Sequence, residues 1–363
     1  MMHVALIGSG KIGEAIVTLF NSVGGYQLTV VDKDTERLAP MKALGATVVV
    51  ADVGADTAND NLAAKLKGVN VIISACPFYL TPKLAKLARD IGAHYFDLTE
   101  DVESTKVVKE IAKGASTVFM PQCGLAPGFI SIAAAEIARR FDTLRDVNMR
   151  VGALPIYPTN ALKYNLTWST DGLINEYLNP CEAIIDGKIK ETPPLEELEH
   201  FSMDGLDYEA FNTSGGLGTL CETLEGKVQN LNYKTVRYPG HCDIMKILVR
   251  DLRLGERREL LKDVLETAIP ITLQDVVLVF VSVSGQREGR LAQESYAKKI
   301  YAKQVNGKWL SAIQLTTAAG ICTMVDLLAK GQLKAELPGT GFVRQESVSL
   351  ATFLANPFGA YYA

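Results

Sequence analysis

Gly8, Ser9, Gly10, Lys11, Ile12 and Gly13 form G-S-G-K-I-G between an apolar run and a stretch of helical period. That spacing suits the diphosphate of a dinucleotide. The first glycine permits a tight turn, the second lets pyrophosphate approach the backbone, and the third allows helix and strand to pack closely. The diphosphate then meets the positive end of the helix and its unpaired N–H groups. Lys11 is followed by Ile12 rather than Ser or Thr, which excludes a P-loop. Asp32 ends the second apolar run, 19 residues beyond Gly13. A carboxylate there accepts hydrogen bonds from the adenosine ribose hydroxyls and repels a 2′-phosphate. Lys33 partly offsets that repulsion, and the balance predicts NAD in preference to NADP. Asp52 and Val53 follow the third run, where adenine usually lies. Ser74, Ala75, Cys76 and Pro77 follow the fourth, and Asp97 ends the fifth. Ligands of such sheets bind outside the carboxyl ends of the strands, so these positions point at the nicotinamide half. Cys76 suits packing better than nucleophilic attack, because nothing near it in sequence lowers its pKa.

A second group lies in the other half of the chain. Arg237 and His241 stand four residues apart in R-Y-P-G-H, where Pro239-Gly240 makes a turn rather than a helix, so both side chains can converge. Arg237 has the planar fork that grips a carboxylate; otherwise it is a surface arginine paired with an acid. His241 suits a base or a polar anchor, or else a capped structural histidine. Asp97 can orient His241, bind an ammonium, or bond to backbone at its strand end. Glu222 and the run Thr213, Ser214, Gly215, Gly216 are candidate walls of a substrate pocket, the run either exposing backbone N–H groups or forming a plain loop. Tyr238 is a hydrogen-bond donor to substrate or a packing residue.

The elements that must position these groups follow from periodicity. Segments 3–7, 27–31, 46–50, 70–75, 94–98 and 116–120 read as short buried strands, and their unbroken apolar character suits a parallel sheet covered on both faces. Between them, 11–23, 57–67, 80–91 and 102–113 have helical period, with Thr35 and Thr57 at N-cap positions. The alternation predicts a doubly wound Rossmann sheet of the α/β class. After 121–129 a helix is expected near 128–140, with Pro127 in its first turn. From about 143 onward a mixed α+β domain is expected for substrate binding and dimerisation, with strands at 145–153 and 275–283 and a hairpin return over 294–305. A helix over 316–331, closed by Gly331, is expected to return to the first domain and cover its sheet. The predicted domains are 1–125, completed by 311–363, and 126–310.

Composition narrows the function class. Of 363 residues 48% are hydrophobic and 21% charged, with a net charge of -4. That composition is globular, the length favours two domains, and the charge balance offers no footprint for nucleic acid or anionic lipid. The six cysteines are scattered without a C-x-x-C pair and the histidines number four, so neither a disulfide framework nor a metal site is predicted. The opening residues lack the pattern of a signal peptide. No run is read as approaching the roughly 18 apolar residues of a membrane helix. A cytoplasmic enzyme with a small-molecule partner is expected.

The motifs GSGKIG, VIISACP (71–77), GAHYFDLTED (92–101) and CGLAPGF (123–129) resemble those of the saccharopine dehydrogenase-related family. RVGALP (150–155), NTSGGLGTL (212–220), KTVRYPGH (234–241) and QLTTAAGIC (314–322) are similar to its lysine 6-dehydrogenase branch, and the resemblance covers nearly the whole chain. It implies oxidative deamination of the side-chain amine of lysine with NAD, giving the semialdehyde, which cyclises, and it implies a homodimer or higher assembly. Such a reaction needs a base to take the amine proton and anchors for the remote charges of the amino acid, which orient it. Ala126 departs from the acidic residue that saccharopine reductases carry in that turn, which counts against a bulky, multiply charged saccharopine substrate. Two alternatives stand beside this reading. One is a saccharopine or carboxyspermidine type of opine reductase, using Arg150 or Arg253 as further anchors; the other is an NAD-binding protein without turnover.

Overall fold

The computed structural model describes residues 1–55, 58–166, 168–333 and 339–363. They form two compact units. One comprises Met1–Phe129, Gln304–Lys308 and Gln314–Ala363; the other comprises Ile130–Lys303 and Trp309–Ile313.

In the first unit strands and helices alternate: β1 (Met2–Ile7), α1 (Lys11–Val23), β2 (Tyr26–Asp32), α2 (Thr35–Ala43), β3 (Thr47–Val50), α3 (Ala58–Lys65), β4 (Val71–Ser74), α4 (Thr81–Ile91), β5 (His94–Asp97), α5 (Val102–Ile111) and β6 (Phe119–Met120). The sheet runs β3-β2-β1-β4-β5-β6 with every neighbour parallel. This is the doubly wound order, and its direction reverses between β1 and β4, the switch point at whose carboxyl ends ligands of such sheets bind. Val4–Ile7 and Val71–Ser74 are buried on both faces, which is why these strands read as unbroken apolar runs. α4 is amphipathic: it buries Leu84, Ala85, Leu87 and Ala88 and ends on Gly92 in the left-handed region at φ 72°, a position that a Cβ would strain.

Local chemistry moves some expected boundaries. α2 is capped by Asp34 rather than Thr35: the Asp34 carboxylate accepts from the Glu36 and Arg37 amides while its backbone is still extended, and Thr35 is already helical. Thr57, the other expected cap, lies outside the described residues. The last strand keeps only Phe119–Met120 of the expected 116–120.

The second unit begins within α6 (Phe129–Ala138), and Pro127 precedes that helix instead of sitting in its first turn. Then follow β7 (Thr143–Pro155), α7 (Thr170–Leu178), β8 (Cys181–Ile185), β9 (Lys188–Thr192), β10 (Glu199–Met203), β11 (Leu206–Asn212), α8 (Leu220–Leu224), β12 (Val228–Arg237), α9 (His241–Lys246), α10 (Arg258–Ala268), β13 (Asp275–Arg287) and β14 (Arg290–Tyr301). The sheet order is β10-β11-β12-β7-β13-β14, with β8 bridging β12 and β9. β12 and β7 are parallel and the other pairs antiparallel. Alternation along β7 and β13 buries Val147, Met149, Val151, Val277, Val279, Val281 and Val283 on one face. The other face carries polar rungs, among them Asn230 to Asp146 and Asn232 to Asn148, each 2.9 Å.

Short strands β15 (Lys303–Val305) and β16 (Lys308–Leu310) lead to α11 (Ala312–Ala329). The buried Asp275 carboxylate accepts the Ala312 and Ile313 amides at the start of that helix, at 2.5 and 3.0 Å. α11 has 18 residues and is apolar enough to cross a membrane by length and composition. It therefore corrects the expectation that no segment would reach that length; most of it is buried inside the protein. α12 (Leu350–Leu354) lies in the final segment, which completes the first unit. Phe342 bridges to Phe119 in parallel register, Gln345 donates to the Pro121 carbonyl, and Asn356 donates to Asp326 at 2.6 Å.

Candidate active site

The glycine turn of the first unit separates what the protein itself requires from what a ligand requires. A Cβ on Gly8, at φ 105°, would stand 2.7 Å from the Ala75 carbonyl, and one on Gly13 would stand 2.2 Å from the Gly8 carbonyl. Those two residues are glycine because the chain packs against them. A Cβ on Gly10 would meet nothing within 4 Å, so the space beside Gly10 is open to an outside group. α1 starts there without any side-chain cap, which leaves first-turn amides for an anion. Lys11 is exposed and Ile12 half-buried beside that turn.

At the end of β2, Asp32 Oδ2 accepts both the amide and the hydroxyl of Ser9 at 2.7 Å, and Oδ1 accepts the Asp34 amide at 3.0 Å. Burial works against its charge, but the donors from Asp34 and Ser9 outweigh it and hold the carboxyl below its ordinary range. Lys33 and Asp52 are exposed, and the Asp52 carboxylate accepts the Gly54 amide at 2.9 Å. Val53 is in the core. Along β4, Ser74 is buried, the Ala75 amide donates to Ile7 at 2.8 Å, and Pro77 is exposed. The Cys76 thiol, 3.3 Å from the Ile7 carbonyl, is pushed up to about 12 by burial and then by the Asp32 charge, so it is a packing group.

Asp97 is fully buried at the carboxyl end of β5. Its Oδ1 accepts the Thr99 amide at 3.0 Å and the Gln122 amide at 2.8 Å, while Oδ2 is buried with no hydrogen-bond partner. Burial raises the carboxyl to about 6, opposed by those two amides and by the neighbouring Tyr95 hydroxyl.

The second unit assembles a different constellation. β12 ends on Arg237, which is only 3% exposed and so is no surface arginine. Nε donates to the Tyr177 hydroxyl at 3.0 Å and Nη1 to the Val236 carbonyl at 2.9 Å. The guanidinium lies over the Tyr164 ring, 4.9 Å from its centroid. Burial opposes its charge, yet Tyr177, Tyr164 and the buried Glu176 more than compensate and raise its pKa.

His241 closes the chain of bonds. Nδ1 is 2.8 Å from the Leu162 carbonyl and Nε2 is 3.0 Å from the Tyr177 hydroxyl. A carbonyl can only accept, so Nδ1 carries the proton and Nε2 accepts from Tyr177. Burial, then the Arg237 charge, lower the imidazole to about 3 against the pull of Leu162. This corrects the expectation of a base: both nitrogens are engaged and the ring is neutral. It also corrects the idea that Asp97 orients His241, since Leu162 and Tyr177 do so.

Glu209, opposite Arg237 on β11, holds the turn between them. Its carboxylate oxygens accept the Gly240 amide at 2.7 Å and the Cys242 amide at 2.6 Å. Gly240, at φ 98°, supplies the left-handed bend. Tyr238 points elsewhere, donating to the Pro155 carbonyl at 2.9 Å and stacking on Tyr208, so its expected contact with substrate is replaced by packing. Glu222 stands exposed on α8, outside the buried cluster. The T-S-G-G run is a fitted loop. The Ser214 amide donates to the Glu176 carbonyl at 3.0 Å, Gly215 turns at φ 87°, and a Cβ on Gly216 would lie 2.2 Å from the Tyr233 ring. The hydroxyl of Thr213 is buried without a partner. Arg150 is tied to Glu199 and Asn232, and Arg253 to Glu256. Sequence spacing gave no sign of Tyr164, Glu176, Tyr177 or Glu209; a buried aromatic or acid on an otherwise apolar element is their only local mark. Among the described residues no group of three or more His, Cys, Asp or Glu side chains could hold a metal ion.

Comparison with known proteins adds to this geometry. The family model described as the saccharopine dehydrogenase NADP binding domain matches residues 4–120, and the one described as the saccharopine dehydrogenase C-terminal domain matches 124–358. The mitochondrial alpha-aminoadipic semialdehyde synthase of Rattus norvegicus is 21% identical over 305 residues, 77% of this chain and 31% of that protein. Its Bos taurus counterpart is 20% identical over 321 residues, 82% of this chain and 33% of that protein. The chain thus spans about a third of the length of these relatives. Among solved structures, the apo saccharopine dehydrogenase (L-Glu forming) of Saccharomyces cerevisiae superposes with a TM-score of 0.75 at 17% identity, covering 97% of this chain and 95% of that one. The homospermidine synthase of Legionella pneumophila, in complex with NAD, gives 0.71 at 15% identity, covering 99% and 89%. These likenesses show the fold.

Proposed function

The chain belongs to the saccharopine dehydrogenase family, and from that premise we propose that it is an NAD-dependent dehydrogenase that oxidatively deaminates the side-chain amine of L-lysine to the semialdehyde. The dinucleotide fits the first unit on the evidence of Gly10, whose missing Cβ is demanded by no protein atom. The α1 amides would hold its diphosphate and Asp32 its adenosine ribose. When bound, the dinucleotide supplies the hydride acceptor. Asp32 also favours NAD: a carboxylate held ionised by Ser9 and Asp34 repels a 2′-phosphate, and Lys33 is exposed.

The observation that carries the chemistry is the buried, unpartnered Oδ2 of Asp97. The carbon that bears the amine releases hydride only when the nitrogen lone pair is free to form the imine, so a base must first take the ammonium proton. Asp97 lies at a strand end where ligands of such sheets react, its Oδ1 is fixed by two amides, and its pKa of about 6 leaves it ionised yet basic near neutrality. In the second unit Arg237, fixed by Tyr177 and Val236, has the planar fork that holds a carboxylate. Of the further anchors that the opine-reductase alternative would use, Arg150 bonds Glu199 and Arg253 bonds Glu256.

Two measurements test the reading. Titration with NAD and NADP is expected to show tighter binding of NAD. A panel of lysine, ornithine, saccharopine and diamines, followed by NADH formation, is expected to show turnover with lysine. A tight NAD complex with no reduction under any amine would make the protein a binder instead of an enzyme.

A further inference from the structure

We propose that Oε1 of Gln122 accepts a hydrogen bond from the carboxamide NH2 of the nicotinamide ring, which makes Gln122 the residue that fixes the ring's rotation. The inference rests on the dinucleotide reading above and supplies what Gly10 and Asp32 leave open: how the reactive end of the dinucleotide is oriented.

Gln122 lies two residues beyond β6 and is only 1% exposed. Its backbone stands at φ 63°, in the left-handed region, a strain that persists only where the surroundings impose it. The end of β5 imposes it here. The Gln122 amide donates to Asp97 Oδ1 at 2.8 Å, and the Cys123 amide donates to the Asp97 carbonyl at 2.9 Å. Gln345 donates its Nε2 to the Pro121 carbonyl. The turn over 121–123 is clamped by these bonds, yet Oε1 of Gln122 is buried without a hydrogen-bond partner. An acceptor withdrawn from water and left unpaired is costly, so its place in a clamped turn implies a donor from outside the chain.

The sheet decides which donor. Asp32 on β2 and the glycine turn after β1 lie on one side of the switch point, and β5 and β6 on the other, the half that receives the nicotinamide end. The end of β5 is two strands from β1, roughly 10 Å at ordinary strand spacing. A ribose and ring can cover that span from a diphosphate held beside Gly10. The diphosphate brings only acceptors. The ribose hydroxyls both donate and accept, whereas the carboxamide NH2 only donates and stands farthest from the diphosphate, which matches a lone oxygen toward the edge of the sheet. Because Asp97 holds the Gln122 amide, the anchor for the ring and the carboxylate assigned above to the substrate proton belong to one hydrogen-bonded turn.

The test is calorimetric titration of the full chain with three compounds: NAD, its 3-acetylpyridine analogue, in which a methyl group replaces the NH2, and ADP-ribose, which lacks the ring. Wild-type protein is expected to bind NAD about fivefold more tightly than the analogue, the worth of one net hydrogen bond between neutral groups. Gln122→Met, which keeps the length but not the amide, is expected to remove that preference and to leave ADP-ribose affinity unchanged. A wild type without the preference, or a preference that survives in Gln122→Met, overturns the proposal. An equal loss for ADP-ribose overturns it too, since Gln122 would then serve the ribose. Gln345, whose Oε1 is also buried and unpartnered, is the control: Gln345→Met should keep the preference, and its loss there instead of in Gln122→Met refutes the assignment. If the wild type binds neither NAD nor ADP-ribose, the dinucleotide reading itself falls and takes this assignment with it. Should melting curves show Gln122→Met unfolded, Gln122→Asn serves, because Asn adopts positive φ readily and withdraws the amide by one methylene. A reduced preference then supports the proposal, and an unaltered one refutes it.

Discussion

Asp97 and His241 are both fully buried, and burial moves them in opposite directions, the carboxyl up to about 6 and the imidazole down to about 3. If Asp97 takes the substrate proton, kcat/KM rises with pH through about 6 and then levels. Asp97→Asn should lower turnover by at least about a hundredfold while leaving NAD binding intact by titration. The same shift has a stability consequence. An ordinary aspartate titrates near about 3.9, so between there and about 6 the folded protein holds a proton that the unfolded chain has released. The contribution of Asp97 to stability therefore falls as pH rises through that window, and Asp97→Asn should flatten that slope in denaturant melts. His241→Asn is expected to lower the melting temperature by breaking the bonds to Leu162 and Tyr177, yet to keep the acid limb of the rate profile; loss of that limb would return His241 to the role of base. At this scale motif and strand-end position singled out Arg237, Asp32 and Asp97, and the structure gives each of them fixed hydrogen bonds. The sequence misled over His241, because an unperturbed pKa says nothing about a ring sealed between a carbonyl and a phenol. Tyr177 was invisible, since its partners lie 60 and 64 residues away.

Among elements, the turn between β1 and α1 is where packing and ligand demands can be told apart. Gly13→Ala forces a Cβ against the Gly8 carbonyl and should destabilise by about 1–3 kcal/mol, visible as a lowered denaturation midpoint. Gly10→Ala meets no protein atom within 4 Å, so its stability should stay within about 1 kcal/mol of wild type while NAD affinity falls. Equal effects of the two substitutions on stability would show that the space beside Gly10 is filled from within. The parallel sheet was readable because strands buried on both faces are apolar without interruption, and β13 with β14 because two strand-like runs flank a tight turn at Glu288-Gly289. The N-cap of α2 slipped by one residue because Asp34 and Thr35 are both good caps and only the backbone decides between them. α11 was read as shorter than it is: its first turn is held by Asp275, a side chain 37 residues back in sequence.

For the whole molecule, the first unit is discontinuous, closed by residues 314–363. Phe342 sits in the core with Phe119, and Asp326 gathers Tyr26 and Asn356. A chain ended at Gln332 removes Phe342, Gln345 and Asn356 together and should lose NAD binding in titration along with part of its cooperative melting; retention of full affinity would mean that the first 129 residues hold the dinucleotide unaided. Full-length protein at a hundredfold excess of NAD over its Kd should gain about 2.7 kcal/mol, read as a rise in melting temperature. That closure also sets an order of events on the ribosome. The glycine turn precedes the second unit in the chain, but the segment whose Phe342 bridges Phe119 of β6 follows it. Nascent β6 therefore waits with an open edge while the entire intervening unit emerges and folds, and a chaperone that guards unpaired strands would find its client in that interval.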